Sequence, residues 1–172
     1  RLKIQYGTSL VYPSSAMGAH VSAVPNHQNG RVTSIQTRCD VALGGNFGFE
    51  LDLATLTPDE LEIAADMVRR VKDVRELTQK GIFSRLLSPF EGEYTAWQFT
   101  AEDRSEALLC VYHTLITSAM PPVLVRMREL DPDALYRSED GQTYSGAVLM
   151  NIGIRVALRR DFTSKTIRFS RV

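Results

Sequence analysis

The sequence lacks an excess of charge of either sign, since 20 lysines and arginines balance 20 aspartates and glutamates among 172 residues. Binding to duplex nucleic acid or to an anionic membrane needs dense positive charge that displaces counterions, so neither partner is expected. The two cysteines, Cys39 and Cys110, are too few for a disulfide-rich scaffold. The longest apolar run, Ala107 to Tyr112, is far shorter than the ~20 residues of a membrane-spanning helix.

Signals for secretion and for metal or cofactor binding are also missing. No asparagine is followed two positions later by Ser or Thr, and the chain starts with Arg1-Leu2-Lys3 and shows no apolar signal-peptide core. Together with the unpaired cysteines, this favours the cytoplasm. His20, His27 and Cys39 lack the paired spacing of a zinc site, and no glycine-rich loop opens a helix to hold a phosphate. We therefore expect no metal and no cofactor.

Strand and helix patterns alternate in the first half of the chain. Ser9 to Tyr12 is a short β-prone run, and after a long polar loop Val32 to Leu43 has weak helical periodicity. Phe47 to Leu53 alternates apolar with polar or small residues, which predicts a strand. Thr57 to Glu60 forms a capping box that starts a helix, and Lys80-Gly81 ends it. This order predicts parallel strands joined by crossover helices.

After Gly81 the pattern changes to short β-prone runs separated by turn residues, for example at Met120-Pro121-Pro122 and Asp140-Gly141. Turns about every 10 residues predict an antiparallel β-sandwich. Met150 to Gly153 interrupts it as a loop or a single helical turn. The predicted strands are Ile82 to Leu87, Tyr94 to Thr100, Glu106 to Ile116, Val123 to Leu130 and Thr166 to Val172.

Several blocks of the sequence, in order along the chain, resemble the α-galactosidases of glycoside hydrolase family 36. The longest is the loop from Pro13 to Gln28, which closes with Gly30-Arg31. The others are Gly45 to Leu53, Ser88-Pro89-Phe90, Leu130 to Tyr136, Tyr144-Ser145-Gly146 and Leu149 to Gly153. The resemblance spans nearly the whole chain.

The resemblance implies a division of the chain at Gly81. Residues 1–81 are expected to form the last two strand-helix units of a (β/α)8 TIM barrel, and residues 82–172 a C-terminal antiparallel β-sandwich domain. Thr8 to Tyr12 would be the seventh barrel strand and Phe47 to Leu53 the eighth, with helices at Val32 to Leu43 and Pro58 to Lys80. The chain would then be about the last quarter of the protein.

The resemblance also implies an activity for the parent protein. The family hydrolyses terminal α-galactosyl residues of oligosaccharides such as raffinose and melibiose, with retention of configuration. Both catalytic aspartates are expected upstream of Arg1, so this chain contains no catalytic residue and should be inactive alone. The expected partner is an α-galactoside oligosaccharide, and family members are often homotetramers.

The loop after Tyr12 provides the candidate substrate-binding residues. If that loop leaves a barrel strand at its carboxyl end, Met17, Gly18 and His20 line the galactose pocket. The competing interpretation is that the loop is ordered by its own hydrogen bonds, and His27 is expected to tie it down. Glu50 and Asp52 lie two apart on the predicted strand, but a structural role at the strand end is preferred to an acid pair.

Other conspicuous residues have structural interpretations. Trp97 is expected in the core, and Cys39 and Cys110 are expected to be buried thiols.

Two functions remain as alternatives to the hydrolase. One is a galactosyl transferase of the same fold, similar to raffinose synthase. The other is a non-catalytic carbohydrate-binding or interaction β module, for which an exposed row of aromatic residues would be the clue.

Overall fold

The first region of the computed structural model, which describes residues 1–118 and 121–172, combines helices with a two-stranded sheet. Its helices are α1 (Leu2–Thr8), α2 (Ile35–Ala42) and α3 (Pro58–Lys80), with short 3-10 turns at Ser14–Ala16 and Leu53–Thr55. Its strands are β1 (Gly18–Ser22) and β2 (Asn46–Glu50).

Strands β1 and β2 pair in parallel, with Gly18 opposite Asn46 and Ser22 opposite Glu50. Because α2 lies between them in the chain, it is the crossover connection that a parallel pair requires. The predicted parallel pairing across a crossover helix is therefore confirmed, although the first strand lies later in the chain than predicted. Strand β2 begins at Asn46, one residue before the predicted Phe47 to Leu53 run, and ends at Glu50, since Leu53 begins a 3-10 turn.

The predicted strand from Thr8 to Tyr12 is wrong. Thr8 ends α1, and the amides of Leu10 and Val11 donate to the carbonyls of Gly7 and Thr8, which continues the helix as a turn. The apolar side chains of residues 10–12 are exposed. A run of four β-prone residues carries too little periodicity to separate a strand from the end of a helix.

The helix signals located α3 and most of α2. At α3, Thr57 Oγ1 accepts from the Glu60 amide at 3.3 Å and Glu60 Oε2 accepts from the Thr57 amide at 3.1 Å, so the predicted capping box is present. Helix α2 starts later than the predicted Val32, because Ser34 caps it by accepting from the amide of Thr37 at 3.2 Å.

The second region is built on a six-stranded antiparallel sheet, so the antiparallel, sheet-rich C-terminal part is confirmed. The strand order is β3-β4-β5-β10-β7-β8, and a separate pair, β6 with β9, is also antiparallel. The bounds are β3 Ile82–Leu87, β4 Tyr94–Thr100, β5 Glu106–His113, β6 Val123–Val125, β7 Leu135–Ser138, β8 Thr143–Ser145, β9 Ile154–Val156 and β10 Thr163–Arg171.

The predicted bounds of β3 and β4 are confirmed, whereas other elements are shorter, longer or displaced. The predicted Val123 to Leu130 strand is only three residues long. The helical turn expected at Met150 to Gly153 is helix α4 (Gly146–Asn151), which begins earlier. In the predicted turn at Met120-Pro121-Pro122, Met120 lies outside the described residues.

Three apolar clusters hold these elements together. The first lies between β1–β2 and helices α2 and α3, and it includes Cys39 and Met67. The second lies between the same two helices and one face of the six-stranded sheet, and it includes Trp97 and Cys110. The third joins the other face of that sheet to β6, β9 and α4. Among the described residues, no helix is both long and apolar enough to span a membrane.

The structural interpretations of Trp97, Cys39 and Cys110 are confirmed. Trp97 is 2% exposed, and both cysteines are buried and free. Burial raises the pKa of each thiol to about 12, so neither is a ready nucleophile at neutral pH. Tyr112 on β5 is buried beside Trp97, so these two residues do not form the exposed aromatic row of a carbohydrate-binding module.

Candidate functional site

The two faces of the β1–β2 pair differ sharply. Ala19 and Val21 are fully buried in the cluster with α2 and α3, and Phe47 and Phe49 pack against the same cluster. The alternation along a strand places the intervening residues on the opposite face. On that face Gly18, His20, Asn46 and Glu50 are exposed, and Ser22 and Gly48 are partly exposed. We call these six residues the open face.

His20 occupies the middle of the open face, directly opposite Gly48. A Cβ atom on Gly48 would lie 3.1 Å from His20 Cδ2, and one on Gly18 would lie 3.5 Å from His20 Cε1. The imidazole ring therefore lies in a space that two glycines leave free. Gly18 and His20 therefore lie on the same face of one strand, whereas the sequence prediction placed them in a loop.

The carboxyl end of the open face carries a short chain of polar contacts. Arg1 Nη2 donates to Ser22 Oγ at 2.7 Å, and Ser22 Oγ donates to Glu50 Oε2 at 3.4 Å. Asp52 takes no part, because its Oδ1 accepts from the amide of Ala54 at 2.9 Å and caps the following 3-10 turn. Glu50 and Asp52 therefore have separate structural partners, as expected.

Met17 lies before the amino end of β1 and is only 6% exposed. Its carbonyl accepts from the amide of Asn46 at 2.7 Å, and a Cβ on Gly45 would approach that same oxygen to 2.7 Å. The expectation that Met17 follows a strand is wrong, because the strand begins at Gly18. In the described chain Met17 fastens β1 to the start of β2 through its backbone.

The segment between β1 and α2, residues 23–34, is the β1–α2 loop. Its turn is held by Asn26, whose Oδ1 accepts from the amides of Gln28 at 3.0 Å and Asn29 at 3.3 Å. The amide of Asn26 donates in turn to the carbonyl of Arg31 at 2.9 Å. His27 is exposed, so the tying role expected of it belongs to Asn26. The pattern Asn-x-Gln-Asn-Gly is typical of a turn capped by a side chain, and it could have predicted the role of Asn26 from the sequence.

A buried carboxyl group connects α2 to the six-stranded sheet. Asp40 is 2% exposed, and its oxygens accept from Ser164 Oγ at 2.7 Å and from Gln36 Nε2 at 3.0 Å. Burial raises the pKa of Asp40, although the two hydrogen bonds and the charge of Arg70 oppose the change. Sequence reasoning missed this contact because Asp40 and Ser164 lie far apart in the chain.

Comparison with known proteins identifies the family. A family model described as melibiase matches residues 1–81, and one described as the glycosyl hydrolase family 36 C-terminal domain matches residues 94–169. The chain belongs to glycoside hydrolase family 36. The resemblance drawn from the sequence blocks is thereby confirmed.

Curated family 36 relatives extend well beyond this chain. Alpha-galactosidase AgaA of Geobacillus stearothermophilus is 51% identical over 173 residues, which are 100% of this chain and 24% of that protein. The bifunctional alpha-galactosidase/sucrose kinase AgaSK of Mediterraneibacter gnavus is 46% identical over 90% of this chain and 17% of its own length. The chain thus spans about a quarter or less of these two relatives.

Solved alpha-galactosidase structures have the same backbone fold over this stretch. The crystal structure of AgaA superposes with a TM-score of 0.97 at 51% identity, covering 100% of this chain and 24% of AgaA. An AgaA variant in complex with raffinose gives a TM-score of 0.97 at 50% identity, covering 99% and 24%. The alpha-galactosidase from Lactobacillus brevis gives 0.93 at 37% identity, covering 98% and 24%.

Proposed function

We propose that the whole protein containing this chain is a retaining α-galactosidase that removes terminal α-galactosyl residues from oligosaccharides such as raffinose and melibiose. The observation that carries the proposal is 51% identity, along the entire chain, to an alpha-galactosidase. Variants of that relative have been crystallised with raffinose and with stachyose, which are α-galactosides of this class.

In this proposal residues 1–81 supply the last two strand-helix units of a (β/α)8 barrel, and residues 82–172 form the C-terminal domain. The parallel β1–β2 pair, covered by helices on one face and open on the other, supports this division. The seventh barrel strand is then β1 and the eighth β2. The carboxyl ends of both strands, at Ser22 and Glu50, would face the substrate, as in barrel enzymes generally.

Retaining hydrolysis needs two carboxyl groups about 5–5.5 Å apart, one as the nucleophile and one as the acid and then the base. We do not propose Glu50 or Asp52 for these roles, because Asp52 caps a turn and Glu50 accepts a hydrogen bond from Ser22. We place both catalytic aspartates upstream of Arg1. The chain described here would therefore bind and orient the sugar without performing the bond cleavage.

Within this chain we propose that Gly18 and His20 contribute to the sugar site through the open face. His20 can offer a ring nitrogen to a sugar hydroxyl, and the two glycines leave room for its ring. Met17 is proposed to act indirectly, by holding β1 and β2 in place. Its buried side chain presents little surface to a ligand, and its carbonyl fixes the start of β2.

An assay of the complete protein and of residues 1–172 tests the activity. We expect the complete protein to hydrolyse an aryl α-galactoside and raffinose, with α-galactose as the first product detected by NMR, and the 172-residue chain to be inactive. Release of β-galactose would contradict retention, and turnover by the chain alone would contradict the upstream position of the aspartates. Transfer of galactose to sucrose in preference to water would instead indicate the raffinose-synthase-like transferase.

Substitution of His20 in the complete protein tests the open face. His20→Ala should raise KM roughly fivefold to tenfold with a smaller change in kcat, because one hydrogen bond to the sugar is worth about 1 kcal/mol. Gly48→Ala should act in the same direction by displacing the ring. Gly92→Ala is the matched control, since a Cβ there meets nothing within 4 Å. Unchanged KM in both variants would remove His20 from the site.

We also propose that the complete protein is a homotetramer, as the family resemblance suggests. Light scattering coupled to size-exclusion chromatography measures the mass directly. A monomeric mass at working concentration would refute the assembly without bearing on the hydrolytic activity.

A further inference from the structure

Arg38 on α2 binds both ends of the β1–α2 loop. Its Nη1 donates to the carbonyl of Ser22 at 2.7 Å, and its Nε donates to the carbonyl of Thr33 at 3.1 Å. Ser22 is the last residue of β1 and Thr33 lies just before the cap of α2. One guanidinium group therefore closes the loop at its base.

The guanidinium is suited to this arrangement because its donors are held in a rigid planar fork. The Arg38 side chain is only 11% exposed, so the two carbonyls it binds would otherwise lack part of their solvation. A lysine at this position would keep the charge but has one compact ammonium group, which cannot reproduce the fork.

Glu60 supports Arg38 from the start of α3. Arg38 Nη2 lies 3.6 Å from Glu60 Oε1, which is an electrostatic contact longer than a hydrogen bond. The other carboxylate oxygen of Glu60 accepts from the amide of Thr57 in the capping box. Arg38 is thereby fixed relative to the segment that follows β2, so both loops at the carboxyl ends of the strands share one support.

The middle of the β1–α2 loop is fixed independently. Asn26 closes its turn, and the guanidinium of Arg31 lies 4.2 Å from the ring centroid of Phe162 in the second region. Such a cation–π contact holds the tip of the loop against the C-terminal sheet region. With the base closed by Arg38, the loop has defined attachments at its ends, its turn and its tip.

We propose that Arg38 is a positioning residue for the α-galactoside site: it holds the β1–α2 loop as a preformed wall at the carboxyl ends of β1 and β2. This inference rests on the proposed function, because the loop faces substrate only if the strands belong to a barrel with its site at that end. Arg38 touches no substrate in this proposal and acts through the loop.

The test compares three variants of the complete protein: Arg38→Ala, Arg38→Lys and Arg85→Ala. Arg85 is the matched control because its Nη1 also donates to a backbone carbonyl, that of Ser9 at 2.8 Å. Arg85 lies near the carboxyl end of α3, which is the opposite end of the strands from the β1–α2 loop. The measurements are kcat, KM, the melting temperature, and hydrogen exchange of the loop amides, including that of Gly30.

Arg38→Ala should lower kcat/KM roughly 10- to 100-fold, as expected when a substrate-positioning element shifts by about 1 Å. Exchange of the loop amides should accelerate, while exchange in α3 stays unchanged. Arg38→Lys should fall between wild type and Arg38→Ala in both readouts. Arg85→Ala should lower the melting temperature by a similar amount but keep kcat/KM within about twofold.

Two results would overturn the inference: loop exchange in Arg38→Ala equal to wild type, or equal losses of kcat/KM in Arg38→Ala and Arg85→Ala. Failure of the proposed function is distinguishable, since the wild-type protein would then hydrolyse no α-galactoside. In that case the role of Arg38 in catalysis fails with it, and the exchange experiment still decides whether Arg38 holds the loop.

Discussion

The β1–β2 pair and the β4–β5 pair have opposite surroundings within one chain. Strand β1 alternates exposed and buried residues, because helices α2 and α3 cover only one of its faces. Strands β4 and β5 are buried at every position after the first, because elements of this chain cover both of their faces. One face of the β1–β2 pair is therefore uncovered and can contact other parts of the protein or a ligand. The β4–β5 pair has no uncovered face.

Helices α2 and α3 of the first region pack against both sheets. The cluster on one face of the six-stranded sheet contains Val41 and Leu43 after α2, Val74 and Leu77 of α3, and Trp97 of β4. The change of secondary structure at Gly81 is therefore not a break in packing. Residues 1–81 and 82–172, although expected to be separate domains, share an apolar core that crosses residue 81.

Removing Trp97 should have the largest effect on this shared core. Its ring lies 4.7 Å from that of Tyr112, and a Cβ on Gly44 would approach the indole to 3.2 Å, so the site is closely packed from both regions. Trp97→Ala should cost about 3–5 kcal/mol of unfolding free energy. Native-state hydrogen exchange of the complete protein measures it through the amides of β4 and α3.

If the two regions form one cooperative unit, protection should fall equally in β4 and in α3. A loss confined to β4 would show that the sheet unfolds independently of α3, so that the shared core does not make the two regions one cooperative unit. Phe90→Ala is the control, since Phe90 is largely exposed and its ring makes an edge contact with Tyr6 and a cation–π contact with Lys3 at 5.6 Å. It should cost less than about 1 kcal/mol.

Asp40 offers a second, pH-dependent test of the connection between the regions. Because burial raises its pKa in the folded state, the neutral carboxyl stabilises the fold below the unfolded pKa of about 4, and this contribution is lost as pH rises through the folded pKa. Asp40→Asn removes the titration. The melting temperature of wild type should therefore fall relative to that of Asp40→Asn as the pH rises above about 4.

Asp40→Ala should in addition cost about 1 kcal/mol at any pH, because Ser164 and Gln36 lose their acceptor. Asp73→Asn, at an exposed position of α3, serves as the control for removal of a negative charge. Parallel pH profiles for wild type and Asp40→Asn would mean that Asp40 has no differential titration between the folded and unfolded states.

The ion pair between Arg70 and Glu139 should have the smallest effect. Arg70 on α3 donates from both terminal nitrogens to the Glu139 carboxylate, at 2.9 Å each, and the side chains are 27% and 38% exposed. Solvent screening limits such a pair to about 0.2–1 kcal/mol. A double-mutant cycle with Arg70→Ala and Glu139→Ala measures the coupling by urea unfolding, and the coupling should shrink in 1 M salt.

A coupling above about 2 kcal/mol would make this contact a principal link between α3 and the turn that joins β7 to β8. The apolar cluster would then not be the dominant connection between the regions. A coupling near zero would mean that this ion pair does not contribute measurably to the connection between the regions.

Local signals located some elements closely and left others unseen. The Thr57 capping box and the Lys80-Gly81 stop gave the bounds of α3, since both depend on hydrogen bonds within a few residues. The strand β1 was missed because Gly18 to Ser22 contains three small residues and a histidine, which favour no strand. It is a strand because it pairs with β2 and buries Ala19 and Val21 under α2.

The sequence by itself determined the change from helix-containing to strand-rich structure near Gly81, the bounds of α3, β3 and β4, the buried position of Trp97 and the resemblance to family 36. These features depend on periodicity, capping and blocks of consecutive residues. Only the tertiary structure decided that His20 lies over Gly48, that Arg38 closes the loop from Ser22 to Thr33, and that one core crosses Gly81. Those contacts join residues distant in sequence, and their geometry follows from packing that no local pattern encodes.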